Sequence, residues 1–335
     1  MKVILSFSIV VLFLYACNET PKDPVTFNDY GASTGIPAID AITQDIKNDP
    51  QNMQLYIERC EAYSNDGFYK EAVRDAETVL SLDSMNWRSY RLLAGCYLDN
   101  NESRRALKTL EKGTERFPEN AYLYLVQAEM NHILQQYDQA IISTEKILKF
   151  DRFNVEAYFM QGIILKDMKD TARAINAFQY AVEQDADHID SYIELAHIFY
   201  HLDKPIAVDY FSNALRIDSM NYTALKGLAL YYHQKGNLND AKSVYKKLIY
   251  HHPQEADGSY NFGLLFMEEE NWEEALRYFD IATKYSPQFG EAYYFKGYAL
   301  EELGRLDQAK IAYTNAMNNN DRDNKAAQAL DRLTN

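Results

Sequence analysis

Few residues of this 335-residue chain stand where chemistry would need them. His197 and His201 lie four apart, with Glu194 one helical turn earlier. On a helix that spacing puts three donor groups on one face, as a metal site would require. No His-Glu-x-x-His pattern accompanies them, so histidines lining a binding face are the plainer reading. His132 and His233 fall in comparable phases, and His251-His252-Pro253 reads as turn sequence. Cys60 and Cys96 read first as buried, reduced small hydrophobes, with a disulfide as the alternative. The absence of Cys-x-x-Cys argues against a redox pair. Carboxylate runs such as Glu268-Glu269-Glu270 and Glu301-Glu302 read as solvated charge. Hydrolytic work needs two acids opposed across a cleft in different environments, and no spacing here predicts that. Nucleophile elbow, phosphate loop and dinucleotide fingerprint are also missing. The expectation is therefore no enzyme, no metal and no cofactor.

The elements that position these residues are repeats. Units begin at Met53, Trp87, Ala121, Val155, Ile189, Tyr222, Ala256 and Gly290, spaced by 34 residues with one unit of 33. The eighth position of each is small: Cys60, Ala94, Ala128, Gly162, Ala196, Ala229, Gly263 and Gly297. Twelve residues on comes a second small residue: Ala72, Ala106, Ala140, Ala174, Ala241, Ala275 and Ala309, with Ala207 one place early in the fifth unit. Antiparallel helices approach closely only at small side chains, so each unit reads as a helical hairpin. The short fifth unit predicts a turn one residue tighter. Gly95, Gly162, Gly227, Gly263 and Gly297 follow the repeat spacing and read as packing devices. Pro118, Pro253 and Pro287 mark the handover between hairpins. One hairpin cannot bury its apolar face, but eight stacked share a continuous core.

These residues resemble the tetratricopeptide repeat family. Ala256 to Phe266, and Ala292 to Ala299 with Ala309, Tyr313 and Ala316, carry the likeness best. The usual aromatic at position four is present as Tyr56, Tyr90, Tyr124, Tyr158, Tyr192 and Tyr293, but Leu225 and Ser259 replace it in two units. The resemblance implies an all-α, right-handed superhelical solenoid whose concave face, mostly from first helices, grips a peptide or protein segment. The family's inward positions fall on Arg88, Arg91, Leu98, Tyr122, Leu125, Glu129, His132, Phe159, Ile163, Lys166, Ile193, His197 and Tyr200. They continue with Lys226, Leu230, His233, Tyr260, Leu264, Met267, Tyr294, Tyr298 and Glu301. The family's clamp for a free peptide carboxylate uses Lys and Asn. Only Lys226 matches, which argues against that ligand.

Residues 1–16 have a basic start and an apolar core too short for a comfortable bilayer span, the shape of a secretion signal. Leu14-Tyr15-Ala16-Cys17 resembles a bacterial lipobox, which implies cleavage before Cys17 and lipid (palmitate among the chains) on it. Asn18-Glu19 after the cysteine resembles Bacteroidota-type export tags rather than an inner-membrane retention signal. The expected place is the bacterial outer membrane. Residues 17–37 read as a tether, 38–50 as a candidate capping helix with Ile39, Ile42 and Ile46 on one face, 53–323 as the repeats, and 324–335 as a last capping helix. No internal boundary stands out, so one elongated domain is expected. The net charge of −15, from 49 acidic against 34 basic residues, argues against nucleic acid and anionic lipid surfaces. A neutral or basic protein partner fits better. The leading reading is a lipid-anchored scaffold or adaptor in envelope assembly. A glycan-binding surface lipoprotein is the second, although such proteins break their repeats with large insertions absent here. A metal-dependent enzyme at His197 and His201 is the third.

Overall fold

A computed structural model of the chain describes residues 34–319 and 324–334. The secretion signal, Cys17 and most of the tether lie outside the described residues. Every element described is helical: α1 Pro37–Asn48, α2 Met53–Asn65, α3 Tyr69–Leu82, α4 Trp87–Asp99, α5 Ser103–Arg116, α6 Ala121–Ile133, α7 Tyr137–Phe150, α8 Val155–Asp167 and α9 Thr171–Gln184. There follow α10 Ile189–His201, α11 Ala207–Ile217, α12 Tyr222–Gln234, α13 Leu238–His251, α14 Ala256–Glu268, α15 Trp272–Tyr285, α16 Gly290–Glu302, α17 Leu306–Asn319 and α18 Lys325–Thr334. Helices α2 to α17 pair in order into eight hairpins in the expected phase, giving an all-α, right-handed solenoid architecture of paired helices with a final capping helix. No described helix is long and apolar enough to cross a membrane.

Two compact units are distinguished, 1–106 and 107–335. The division falls inside α5, whose fourteen residues include only Ala106, Leu107 and Leu110 as sizeable or small apolar side chains.

In unit 1, α1 packs on α2 with Ile39 and Ile46 fully buried. Its first turn is closed by Thr34, whose backbone N–H donates to Asp40 Oδ1 at 2.9 Å. The tie to the hairpin is ionic: Arg59 on α2 donates Nε and Nη2 to Asp75 on α3, both at 2.7 Å, and Nη1 to Thr43 Oγ1 on α1 at 3.1 Å. The pair is almost wholly buried and the guanidinium lies 5.8 and 5.6 Å from the rings of Tyr56 and Tyr63. Unit 2 closes on α18, whose Ala326 and Ala329 are buried and whose Leu330 and Leu333 pack on the same core as α14 to α17.

The small positions behave as their spacing predicts. Position eight and the alanines twelve residues later are buried in all eight hairpins. Three of the glycines receive an aromatic knob from the second helix of the same hairpin: Gly162 from Phe178, Gly263 from Phe279, and Gly297 from Tyr313. A Cβ on Gly263 or Gly297 would stand 2.7 Å from a ring atom. Gly227 instead meets Phe211 of the preceding hairpin. Gly95 corrects the reading, since it is exposed and a Cβ there meets nothing within 4 Å.

Each hairpin turn carries a left-handed residue at one repeat position: Gly67, Asn101, Gln135, Lys169, Asp203, Gly236, Glu270 and Gly304, with φ from 56° to 79°. Three glycines in a common phase were the sequence signal for that turn, and five bulkier residues masked it. The turn of the fifth hairpin is not tighter, as expected, but longer. Five residues separate α10 from α11, against three elsewhere, for example 134–136. Lys204 N–H still closes on Phe199 O at 2.9 Å as its counterparts do, so the turn itself is conserved. Pro205 then supplies no N–H, and Lys204 before it is disfavoured in helical geometry. The chain makes a run of three-residue backbone bonds, Ala207 to Lys204, Val208 to Pro205 and Asp209 to Ile206, as α11 begins. The missing residue is taken from the helix, which has 11 residues where the other second helices have 14.

Candidate functional site

The candidate inward residues all lie on first helices. Arg88, Arg91 and Leu98 sit on α4 in unit 1, and the others on α6, α8, α10, α12, α14 and α16 of unit 2. Arg88 and Tyr122 are exposed and the rest half-buried, an intermediate state that neither a solvent face nor a core would give. Five of the eight first helices start on an asparagine cap. Asn52, Asn86, Asn120, Asn154 and Asn221 each accept a backbone N–H of the first turn. That asparagine one residue before five of the eight first helices is a sequence signal the repeat phase alone did not use.

The charged members of the set pair with the next hairpin. Lys166 Nζ on α8 donates to Glu194 Oε2 on α10 at 2.7 Å. His132 Nε2 on α6 lies 2.7 Å from Asp167 Oδ2 on α8. Lys226 on α12 and the hydroxyl of Tyr222 both bond Asp257 on α14. Burial would push the Asp257 carboxyl up, but those two donors outweigh it and hold the group below the usual range. His233 Nε2 stands 3.1 Å from Glu268 Oε2, at ion-pair distance but off the line of a hydrogen bond. Glu301 on α16 accepts from Tyr313 at 2.8 Å and from Arg332 of α18 at 2.7 Å. Glu269 likewise pairs with Lys242 at 2.6 Å. The carboxylates read as solvated charge thus include several that bridge elements. Glu129 is half-buried without such a pair, and burial raises its carboxyl.

The aromatic members are braced by other rings. Phe159 lies 5.1 Å from the His188 ring, and Tyr260 lies 4.7 Å from Phe289. Tyr200 contacts Tyr231, Tyr294 contacts Tyr313, and Tyr298 contacts Trp272 at centroid distances of 6.1, 5.7 and 5.8 Å. Burial, with Glu291 beside it, pushes the Tyr260 hydroxyl up to about 12. His197 meets Phe211 edge-on at 5.4 Å, and burial lowers its pKa. Its neighbour Glu194 is engaged by Lys166, and His201 is exposed. The sequence-level trio is therefore not gathered as a metal site, and no three ligand-type side chains cluster that way among the described residues.

What remains is apolar. Leu125, Ile163, Ile193, Leu230, Leu264 and Met267 are half-buried on five consecutive hairpins, and all but Leu230 pack at the margin of the cores. A cavity of about 120 Å³ adjoins the row's end, between Tyr260, Tyr294 and Ala326. A drug-sized ligand needs a cleft of roughly 300 Å³ or more. The cavity suits one side chain. A second cavity, about 350 Å³, is lined by Leu276, Lys296 and Ile311 and involves none of the candidate residues.

Family models described as tetratricopeptide repeat match residues 66–130, 155–188, 224–255 and 260–320. Superkiller protein 3 of Schizosaccharomyces pombe is 25% identical over 281 residues, which is 80% of this chain but 18% of that protein. The TPR repeat-containing protein MJ1428 of Methanocaldococcus jannaschii is 23% identical over 58% of this chain and 36% of its own length. The chain thus spans well under two thirds of these curated relatives. Among solved structures, the C-terminal part of a TPR repeat-containing protein from Cytophaga hutchinsonii superposes with a TM-score of 0.60. Its identity is 19%, over 73% of this chain and 99% of that one. PilW, described as a type IV pilus biogenesis factor, gives 0.52 at 19% identity over 63% and 98%. At such identity the likeness is one of fold. Family models and helix pairing agree, and the chain is a member of the tetratricopeptide repeat family.

Proposed function

We propose that this chain is a non-enzymatic scaffold that holds a protein or peptide segment against the first-helix face of unit 2. It does so in the bacterial envelope, tethered at the outer membrane by lipid on Cys17. The observation that carries the binding reading is the half-buried row from Leu125 to Met267. Ion pairs join the same first helices between neighbouring hairpins. A partner covering the row gains about 25 cal/mol per Å² of apolar surface buried. The paired state of Lys226 supports a partner bound through side chains rather than through a free terminal carboxylate. The envelope setting rests on Leu14-Tyr15-Ala16-Cys17.

The test is crosslinking and recovery of the full-length protein from its own membranes, with mass spectrometry of what comes along. The wild type should enrich one or a few specific proteins, and a Leu230→Glu/Leu264→Glu variant with unchanged circular dichroism should lose them. Enrichment of none, or enrichment indifferent to the variant, refutes the face. Cys17→Ser should move the protein to the soluble fraction and abolish palmitate labelling. Membrane retention by that variant refutes the anchor while leaving the binding face to its own test.

A further inference from the structure

Unit 1 contains a feature that scaffolding does not use. Cys60 on α2 and Cys96 on α4 are both buried, and their sulfur atoms lie 3.1 Å apart. They are 36 residues apart in the chain, on the first helices of the first and second hairpins. The same two repeat positions further along are occupied by Ala128 and Ile164, and by Gly162 and Ile198. The repeat therefore asks at these two places only for a small and a larger apolar residue. Here alone, among the described residues, both are cysteine. Unbonded sulfurs need no such approach, and a disulfide needs only a shortening to about 2.05 Å with a suitable torsion.

We propose that Cys60 and Cys96 are a disulfide site that staples the first hairpin to the second when the chain folds in an oxidising medium. The reaction is thiol–disulfide exchange with a small disulfide or a disulfide-bearing oxidoreductase. One cysteine, as thiolate, attacks the donor's S–S bond and releases one donor thiol. The second then displaces the other donor thiol, forming the Cys60–Cys96 bond. Two protons leave the cysteines, two electrons pass to the donor, and two thiols are released.

The folded structure determines when this happens. The neighbouring Cys96 sulfur and burial both push the Cys60 thiol up, and Asp75 and Glu61 add to it. Thiolate is scarce in that setting, and neither sulfur is open to a donor from outside. The bond accordingly forms before the two hairpins have closed on each other, and once made it is equally sheltered from reductants. The crosslink closes a long loop, which restricts the unfolded chain.

The test refolds the full chain from denaturant with oxidised glutathione, quenches with an alkylating agent and digests with trypsin. The cleavage sites release Cys60–Lys70 and Leu92–Arg104. These two peptides should appear joined, about 2 Da lighter than their sum. The oxidised chain should melt about 5–10 °C above the reduced one. Folded, reduced protein given the same donor should react far more slowly. Cys60→Ala, which places at position eight the residue found in the next two hairpins, should fold normally and lose the redox-dependent shift. Recovery of both peptides alkylated separately, carrying glutathione, or joined to Cys17 instead overturns the proposal. So does a melting shift that survives in Cys60→Ala.

Discussion

Gly162→Ala tests the packing logic most directly, because a simple rule predicts the opposite sign. In a helix interior, alanine is favoured over glycine by about 1 kcal/mol. Gly162 lies inside α8, yet a Cβ there would stand 2.6 and 2.7 Å from the Cδ1 and Cζ atoms of Phe178. That ring is fully buried and braced by Phe159 at 5.7 Å. It cannot swing aside without disturbing the hairpin, and overpacking of this kind costs about 1–3 kcal/mol. The net expectation is a loss of about 0–2 kcal/mol, centred near 1, once the propensity gain is subtracted. Gly95→Ala is the control: the residue is also inside a first helix, but open space surrounds it, so the same substitution should stabilise by about 1 kcal/mol. The assay is urea unfolding followed by far-ultraviolet circular dichroism, each variant read against the wild-type midpoint of its own transition. Phe178→Leu in the Gly162→Ala background should recover part of the loss, giving a coupling that a double-mutant cycle measures. If Gly162→Ala stabilises as much as Gly95→Ala, the knob-and-small-residue account of these hairpins is wrong.

Three further outcomes follow from the same structure. Gln135→Gly and Lys169→Gly should each raise stability by about 0.5–1 kcal/mol, since the turn holds both residues at φ near 60°, where glycine carries no side-chain strain; unchanged or lower urea midpoints would contradict this. Arg59→Met should cost about 3–5 kcal/mol by stranding the buried Asp75, while Arg59→Met/Asp75→Leu should restore most of it; a double variant as unstable as the single would show that packing, not charge, is at stake. His197 has its pKa lowered by burial, against the pull of Glu194 and with a further push from His201, Lys166 and Lys226. The unfolded chain therefore binds the proton that the folded chain refuses, and stability is lost as pH falls below about 6.5. His197→Gln should remove that part of the slope, and identical slopes for variant and wild type would refute it.

The hairpin number, their phase and the final capping helix were legible in the sequence, because a 34-residue period of small and bulky residues is set by local helix geometry. So was the burial of Ala72, Ala106, Ala140 and their equivalents. The left-handed turn position was half-legible, in Gly67, Gly236 and Gly304, because surrounding hydrogen bonds force the same backbone on five residues that do not prefer it. Gly95 and Gly162 differ by one repeat position, and nothing in residue type says that one faces solvent and the other a ring.

The charged half of the candidate face belongs to the tertiary structure alone. Glu194 was expected beside His197 and is engaged by Lys166, 28 residues earlier. Glu301 looked solvated and joins α16 to α18. A carboxylate finds its partner across hairpins, so the choice depends on how far each stacks past the last and which rotamer reaches, distances of a few ångströms that a linear period does not encode. The same holds for Cys60 and Cys96: their types and burial could be read from the chain, whereas the 3.1 Å between their sulfurs is set by how the first helix of one hairpin settles against the next.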